Sequence, residues 1–374
     1  MTAAARRVLA LNAGSSSLKF ALFEGPTRSC HGLVEGFGTD YAKALAGILG
    51  QLAERGVAIP DLAACGHRIV HGGSRYVAPM LLDAGALEAL NALRQLAPLH
   101  NRHGLEAIDA LRAIAPALPQ VACFDTAFHA TVPEVASRYA LPAGLHEAGY
   151  RRFGFHGLNF EHVTRALAAR CGGRPPARLL IFHLGNGCSA CAVHEGRSVG
   201  TTMGYSTLDG LTMGTRCGSI DPGVVLSLQR DRGMDADAVA DLLYRRSGLL
   251  GLSGRTNDMR ELLRAAADGD ADCALAVEHF CYWAARHAAS LVVALGGLDA
   301  IAFTGGIGTG SAAVRARIAR HLAWLGVELD AARNEAQAED IGATGARCAA
   351  WRILADEEAA IMGHVHAVLG AGSR

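Results

Sequence analysis

The distribution of apolar and polar residues along the chain predicts two β-hairpins at distant positions. Residues 8–25 and 179–196 each contain an apolar run, a turn rich in Gly, Ser and Asn, and a second apolar run. The two segments align without gaps at an offset of 171 residues. Coincidence between unrelated hairpins is the alternative, but the similarity favours a duplicated domain, with a ligand-binding cleft between the two copies.

Elsewhere, segments with helical periodicity alternate with short apolar runs. Helices are predicted over 41–55, 84–96, 104–114, 160–170, 236–246 and 274–294. Short buried strands are predicted over 65–70, 121–124 and 300–304. This alternation is typical of α/β proteins, and the change from one domain to the next is expected between Asp125 and Tyr150.

Composition and charge narrow the classes of function. Lys and Arg together number 35, as do Asp and Glu, so the formal net charge is zero. Without a basic stripe, no nucleic-acid partner is expected. The longest apolar stretch, 288–303, is interrupted by two glycines and an aspartate, so no membrane span is expected. Ten scattered cysteines and the lack of a secretory signal predict a cytoplasmic protein with reduced thiols.

The turn of the first hairpin carries candidate phosphate ligands. In the sequence NAGSSSLK, which begins at Asn12, the residues Ser15, Ser16 and Ser17 offer hydroxyl groups and backbone amides. Lys19 is one of only two lysines, because every other basic residue apart from histidine is an arginine. An ordinary polar hairpin turn is the alternative interpretation.

Three more residues of the first half could face a ligand. Arg68 lies in GHRIVHGG, where a guanidinium before a Gly-Gly turn could bind a carboxylate or a phosphate through two hydrogen bonds. Asp125 ends an apolar run, a position that usually faces the ligand crevice of α/β proteins. His156 lies between Phe and Gly. The alternatives are a surface arginine, a helix N-cap and a buried structural histidine.

The second half contains three polar or glycine-rich loops. The second hairpin turn, HLGNG at 183–187, allows backbone amides to approach a phosphate, and Arg216 lies in the polar loop TMGTRCGSIDPG. The segment TGGIGTGS follows an apolar run and begins a predicted helix, a place that attracts phosphate. It also fits a dinucleotide-binding pattern with Asp330 about 20 residues later, so an NAD-dependent oxidoreductase stays open.

Together these segments resemble the acetate kinase family, of the acetate and sugar kinase/Hsp70/actin superfamily. The similar strings occur in the family's order: NAGSSSLKF, GHRIVHGG, LAPLHN, FDTAFH, FGFHG, HLGNG, TMGTRCGSIDPG, DMR, TGGIG and DEE. The resemblance implies an α/β fold with two duplicated ribonuclease-H-like (actin-like ATPase) domains and an interdomain active-site cleft. The implied domains are 1–128 with 360–374, and 129–359.

The resemblance also implies the reactants and the residues that bind them. ATP or ADP, Mg²⁺ and a short carboxylate or acyl phosphate would react on a homodimer, with acetate as the first choice of acid and propionate as the second. Arg68 would bind the carboxylate, and Val70, Leu99 and Phe155 would surround the short acyl group. The nucleotide would contact Ser15, Ser16, Ser17, Lys19, His183, Gly185, Asn186, Gly187, Asp258, Met259, Arg260, Gly305, Gly306, Ile307 and Gly308.

Catalytic and metal-binding roles follow from the same resemblance. The catalytic residues would be Arg68, Asp125, His156 and Arg216, and of these His156 and Arg216 would stabilise the transition state. Mg²⁺ would lie at Asn12 and Glu357, with Asp125 helping to position it and Glu358 as the alternative to Glu357.

Three departures from the family pattern affect the choice of substrate. Thr207 stands where the family usually has Pro, and Thr309-Gly310 replaces Glu-Asn. After FGFHG, the residues 158–160 replace Thr-Ser-His. Acyl and nucleotide selectivity therefore stay open, and so do a kinase for other short acids, a nucleotide-driven conformational protein and a catalytically silent relative.

Overall fold

The computed structural model describes residues 7–14, 17–92 and 101–371. These residues form two compact units. The first unit contains the described residues within 1–130, 155–162 and 356–374, and the second contains 131–154 and 163–355. Each unit has its own sheet.

The sheet of the first unit has the strand order β3-β2-β1-β4-β6-β5 among the described residues. Its strands are β1 Arg7–Ala13, β2 Ser17–Glu24, β3 Thr27–Glu35, β4 Leu62–Ile69, β5 Met80–Leu81 and β6 Gln120–Phe124. β1, β2 and β3 form an antiparallel meander, while β4 is parallel to β1 and β6 is parallel to β4.

The sheet of the second unit repeats this topology. Its strands are β7 Arg178–Leu184, β8 Cys188–His194, β9 Arg197–Thr201, β10 Ala300–Thr304 and β11 Ala349–Arg352. Read as β9-β8-β7-β10-β11, they form an antiparallel meander followed by two parallel strands. This arrangement matches β3-β2-β1-β4-β6 in order and direction, whereas β5, antiparallel to β6, has no counterpart in the second sheet among the described residues. The repeated arrangement confirms the predicted α/β class and its duplication.

The hairpins also reveal where the ungapped sequence alignment fails. In the first hairpin Asn12 is paired with Lys19, whereas in the second His183, the residue 171 positions after Asn12, is paired with Ser189. The second strand of the second hairpin is therefore shifted by one residue. The first strands correspond as the alignment predicts, but Lys19 corresponds to Ser189 rather than to Ala190.

Helices cover the sheets and connect the parallel strands. They are α1 Tyr41–Ala53, α2 Ala84–Ala92, α3 Asn101–Ile114, α4 Glu134–Ser137, α5 Ala143–Glu147, α6 Gly157–Arg170, α7 Pro222–Arg232, α8 Ala236–Arg245, α9 Gly248–Ser253, α10 Met259–Ala267, α11 Ala271–Leu295, α12 Gly305–Gly310, α13 Ala312–His321, α14 Ala331–Glu335 and α15 Glu357–Ala371. Within the described residues, every helix is too short or too polar to cross a membrane.

In the first unit β1 is buried on both faces. Side chains alternate between the two faces of a strand, so alternate residues of β1 belong to different cores. Leu9 and Leu11 belong to a core that includes Ile48 of α1 and Leu111 of α3. Val8 and Ala10 belong to a second core, formed with α15. Layers on both faces explain why the strand reads as a continuous apolar run, and they fix the position of α15.

Three buried histidines make the first unit sensitive to acid. Burial lowers the pKa of His67, His71 and His129 to about 4, whereas histidines of the unfolded chain titrate near 6.5. The unfolded state therefore binds more protons than the folded state between pH 6.5 and 4. As the pH is lowered through this range, the free energy of unfolding decreases by roughly 3 kcal/mol per histidine.

We expect urea unfolding at pH 7, 6 and 5 to give a steadily decreasing free energy of unfolding. The variant His129→Gln should show a shallower decrease, since one titrating group is removed. Equal slopes for the variant and the unmodified chain would contradict the assignment of His129 as a neutral buried group.

Candidate active site

Arg68 and Asp125 form a buried ion pair at the carboxyl ends of two adjacent parallel strands. In the register of β4 and β6, Arg68 is paired with Cys123, and Asp125 directly follows the last residue of β6. Arg68 Nη2 donates to Asp125 Oδ2 at 2.6 Å, and Nε donates to the same oxygen at 2.9 Å. The Asp125 side chain is inaccessible, and that of Arg68 is 18% exposed. The structure places Asp125 at the strand end where the apolar pattern predicts it.

Two glutamates from the first turn of α15 join this pair through Asn12. Asn12 Nδ2 donates to Glu357 Oε2 at 2.7 Å and to Glu358 Oε1 at 3.1 Å. The amide oxygen of Asn12 accepts from Arg68 Nη1 at 3.1 Å, and Arg68 Nε lies 3.7 Å from Glu357 Oε2. These five residues are called the Arg68 cluster below.

The electrostatics of the Arg68 cluster favour an additional cation. Burial opposes the charge of Arg68, but attraction to Asp125 and Glu357 outweighs it and raises the pKa of the guanidinium. Burial raises the pKa of Asp125, and Glu357 adds to this effect, while Arg68 counteracts it. Three carboxyl groups around one guanidinium leave an excess of negative charge when they are ionised.

His156 lies in a backbone segment that packs directly against Asp125. Its φ is 59°, in the left-handed region that residues other than glycine rarely occupy. The next residue, Gly157, has no space for a side chain, because an added Cβ would lie 1.9 Å from the Asp125 carbonyl oxygen. Strained residues of this kind are concentrated at functional sites, which supports a role for His156 beyond packing.

Two of the three predicted contacts to the acyl group are buried residues of the first unit. Val70 is two residues from Arg68 and is 8% exposed. The Phe155 ring lies edge-on to the ring of His71, with centroids 5.4 Å apart. Leu99, the third, lies outside the described residues.

The turn of the first hairpin is described only in part. Ser15 and Ser16 lie outside the described residues. Gly14 N donates to the Ser17 carbonyl at 2.7 Å, and Lys19 is exposed on β2. Lys19 is directly opposite Asn12 in the antiparallel register, so both side chains project from the same face of the sheet.

An open cavity of about 910 Å³ lies beside the second hairpin turn, within the second unit. Seven of the predicted nucleotide contacts line it: Gly185, Asn186, Asp258, Met259, Arg260, Gly306 and Ile307. We call it the glycine-lined cavity. His183, Gly187, Gly305 and Gly308 are sequence neighbours of these residues and do not line it.

One side of this cavity is formed by the turns that follow β7 and β10, which approach each other closely. β10 is paired with β7 as far as Thr304 and His183, and Gly305 then turns with φ of 78°. An added Cβ on Gly305 would lie 2.6 Å from the Leu184 carbonyl oxygen, so only glycine fits. On another wall, hydrogen bonds from Arg260 lower the pKa of Asp258 to about 2, and Asp258 caps α10.

Arg216 is a cation with no ionic partner among the described residues. Its Nη1 donates to the Thr207 carbonyl at 2.9 Å and lies 3.6 Å from Met213 Sδ. The side chain is half-buried, and burial lowers its pKa. In contrast to Arg68, this guanidinium is available to an anion that the protein itself does not supply.

Similarity to known proteins in sequence and structure is consistent with functional roles for the Arg68 cluster, the glycine-lined cavity and Arg216. The model of the Acetokinase family matches residues 34–363. The chain belongs to the acetokinase family. It is 43% identical to the acetate kinase of Rhodopseudomonas palustris, over 98% of this chain and 99% of the relative. The acetate kinase of Nitrobacter hamburgensis is 44% identical, over 97% and 96%.

Solved structures of the acetokinase family share the whole fold. A propionate kinase from Francisella tularensis superimposes with a TM-score of 0.90 at 36% identity, covering 96% of this chain and 98% of its own. The acetate kinase of Porphyromonas gingivalis gives 0.87 at 29% identity, over 98% and 100%. The chain is thus a phosphotransferase with a carboxyl group as acceptor, as the sequence resemblance predicted.

Membership of the acetokinase family rules out the NAD-dependent oxidoreductase, and the structure gives the physical reason. Asp330, at the position expected for a ribose ligand, caps α14 and accepts from the Arg333 amide at 2.9 Å. The glycine pattern itself forms α12, which is only six residues long.

Several residues that line the glycine-lined cavity were not among the nucleotide contacts predicted from the sequence, although Gly310 and Ser311 belong to the segment TGGIGTGS. They are Asn257, Leu263, Gly310, Ser311, Ala312, Ala313, Glu335 and Gln337. Asn257 could have been found from the sequence, because it directly precedes the matched DMR string. Glu335 and Gln337 lie in no matched string, and only the tertiary fold brings them to the cavity.

Proposed function

We propose that this acetokinase-family enzyme transfers the terminal phosphoryl group of ATP to acetate, reversibly, giving acetyl phosphate and ADP. The observation that carries the proposal is Arg216, a half-buried guanidinium without a carboxylate partner among the described residues. A buried cation of this kind is suited to a phosphoryl group in transfer. Relatives named acetate kinase support acetate, and the solved propionate kinase makes propionate the second candidate.

The nucleotide is proposed to occupy the glycine-lined cavity. Glycines at the two turns let ligand atoms approach the backbone closely, and Asn186 is held by Asn257, whose Nδ2 donates to Asn186 Oδ1 at 3.1 Å. The other proposed contacts are those predicted from the sequence: Ser15, Ser16, Ser17, Lys19, His183, Gly185, Gly187, Asp258, Met259, Arg260, Gly305, Gly306, Ile307 and Gly308.

The acetate carboxylate is proposed to bind Arg68, with Val70, Leu99 and Phe155 around the methyl group. Asp125 holds Arg68 through two donors, which fixes the plane of the guanidinium. Two buried apolar side chains nearby suit a short acyl chain and disfavour a charged substituent.

The donors of the Arg68 cluster fit Mg²⁺. Within the described residues, no three His, Cys, Asp or Glu side chains converge as a preformed metal site. A magnesium ion that also binds substrate phosphates needs only one or two carboxylates from the protein. Glu357 and the amide oxygen of Asn12 would hold it, and the bound ion would neutralise charge on the phosphate oxygens.

The transfer itself needs alignment and charge rather than a base. An oxygen of the ionised carboxylate attacks the γ-phosphorus, the bond to the β-phosphate oxygen breaks, and its electron pair leaves with ADP. Arg216 and His156 stabilise the charge of the equatorial oxygens during this in-line step. A homodimer and a cytoplasmic location stay predictions from the resemblance, as do the domain limits 1–128 with 360–374, and 129–359.

Acyl phosphate formation with formate, acetate, propionate and butyrate tests the assignment. We expect ATP–Mg²⁺ to give the highest kcat/KM with acetate and a lower value with propionate. Preference for propionate or butyrate would replace acetate with a longer acid. A chain that forms no acyl phosphate yet binds ADP would favour the catalytically silent relative.

A further inference from the structure

Arg315 of α13 is the largest side chain that is fully buried in the described part of the chain. All five of its N–H groups have acceptors. Nε donates to Asn334 Oδ1 at 2.7 Å, and Nη2 donates to the Asn334 carbonyl at 2.9 Å and to Gln337 Oε1 at 3.2 Å. Nη1 donates to the carbonyls of Gly308 and Thr309, both at 3.0 Å.

A second arginine connects the same two segments. Arg352, at the end of β11, donates through Nε to the Thr309 carbonyl at 2.8 Å and through Nη1 to the Gln337 carbonyl at 2.8 Å. Thr309 and Gln337 are thus each bound by both guanidinium groups. We call Arg315 and Arg352 the arginine clamp.

The two segments joined by the arginine clamp are walls of the glycine-lined cavity. Gly306, Ile307 and Gly310 of α12 line one side, and Glu335 and Gln337 line another. The carbonyls of Gly308 and Thr309 belong to the last turn of α12, where no further amide of the helix can reach them. The clamp supplies the missing donors and holds α12 against residues 334–337.

Gln337 is held in a strained conformation. Its φ is 57°, in the left-handed region that favours glycine. A guanidinium has no acceptor, so the atom of Gln337 that faces Arg315 must be the amide oxygen. The N–H₂ group of Gln337 is therefore what this side chain can offer to a ligand. The left-handed conformation closes the C-terminus of α14, where Ala338 N donates to the Arg333 carbonyl at 3.0 Å, and the two guanidinium groups fix the cavity-lining side chain that follows this helix.

The arginine clamp carries positive charge that is hydrogen-bonded to neutral acceptors, while Glu335 attracts Arg315 and Glu339 attracts Arg352 from a greater distance. Neither arginine has a carboxylate partner among the described residues. Burial lowers the pKa of Arg315 to about 10, and the charge of Arg352 contributes, so Arg315 is still a cation at neutral pH.

We propose that Arg315 and Arg352 are positioning residues that set nucleotide affinity by holding α12 and Gln337 as two walls of the glycine-lined cavity. This inference rests on the proposed function, because it assigns ATP and ADP to that cavity. It predicts that the clamp governs nucleotide binding and has little influence on the carboxylate or on the rate of transfer.

The test uses Arg352→Met, since Arg352 is half-buried and its loss leaves Arg315 in place. We expect the Kd for ADP–Mg²⁺, measured by calorimetry, to rise about tenfold, which corresponds to about 1.4 kcal/mol. The KM for ATP should rise in parallel, while kcat and the KM for acetate change less than twofold. Arg352→Lys, which keeps a donor, should restore part of the affinity.

Two further variants separate positioning from general stability. Arg178→Met removes an arginine of the same unit that binds Asp299 and lies outside the cavity lining, so it should lower Tm without changing the Kd. Gln337→Gly relieves the left-handed strain, so it should keep Tm within a few degrees and still weaken ADP binding.

Each outcome decides between the inference and the function on which it rests. If the unmodified chain binds ADP–Mg²⁺ and Arg352→Met binds it equally well, the positioning role is wrong. A rise in the KM for acetate without a change in the Kd for ADP would also overturn it. An unmodified chain that binds neither ATP nor ADP would overturn the proposed function, and this inference with it.

Discussion

Replacing Arg216 with alanine is expected to lower kcat by about 10²- to 10³-fold, the usual loss when one preorganised charge donor is removed from a transition state. The KM values should change much less, because the charge matters most when the phosphoryl group is in transfer. The free energy of unfolding should stay the same or increase, since no described carboxylate loses a partner. Steady-state kinetics and urea unfolding measure the two effects separately.

A matched control for this variant is Arg152→Ala, in the same unit. Arg152 Nη1 donates to Asp209 Oδ2 at 2.8 Å, so its removal leaves a partly buried carboxylate without its ionic partner and should cost stability, although Gly210 N and Ser219 Oγ still donate to Asp209 Oδ1. Arg216→Lys keeps the charge but not the planar pair of donors, and should recover only part of kcat. Near-normal turnover by Arg216→Ala would show that the proposed role is wrong.

Three arginines with different partners illustrate how the same side chain serves different purposes in this protein. Arg68 is paired with a buried carboxylate and takes a fixed orientation from it. Arg216 has no carboxylate partner among the described residues and keeps its charge for a reactant. Arg315 has neutral acceptors for all five donors and acts on the backbone of α12. The three guanidinium groups carry the same charge, and only their hydrogen-bond partners distinguish their roles.

The fold was predictable from the sequence where local pattern and tertiary packing agree. The hairpins, α8 and α11 were predicted within a few residues, because their apolar periodicity is the packing face itself. β3 was missed, since only one of its nine residues is buried and its sequence lacks an apolar run. β11 has four residues and a single buried one, so its pairing with β10 rather than its own sequence makes it a strand.

The candidate site was predictable as separate motifs but not as an assembly. Asn12, Arg68, Asp125 and Glu357 come from four distant segments, and only the order of β1, β4 and β6 with the packing of α15 brings them into hydrogen-bond contact. Gln337 and Arg352 match no local sequence pattern, because the hydrogen bonds that they make are to residues of other segments. Resemblance to family motifs therefore points to residues that contact a ligand, and does not point to the residues that hold those contact residues in place.

The Arg68–Asp125 pair gives the other large expected effect. Asp125→Asn keeps the shape of the side chain but removes the charge, so Arg68 loses its main ionic partner and keeps only a neutral amide oxygen as the acceptor for the two donors that now bond to one carboxylate oxygen. Breaking a buried ion pair on one side costs about 3–5 kcal/mol of stability. We expect that loss in urea unfolding, together with a fall in kcat of at least about 10²-fold, since Arg68 can then turn toward Glu357.

The double variant Arg68→Met/Asp125→Asn distinguishes positioning of Arg68 from an independent role of Asp125. If Asp125 acts through Arg68, the double variant should regain part of the stability lost in Asp125→Asn and show no further loss of kcat beyond Arg68→Met alone. The affinity of all three variants for ADP without Mg²⁺ should stay within about threefold of that of the unmodified chain, because the glycine-lined cavity contains neither residue. Additive losses of kcat would mean that Asp125 acts on the reactants directly.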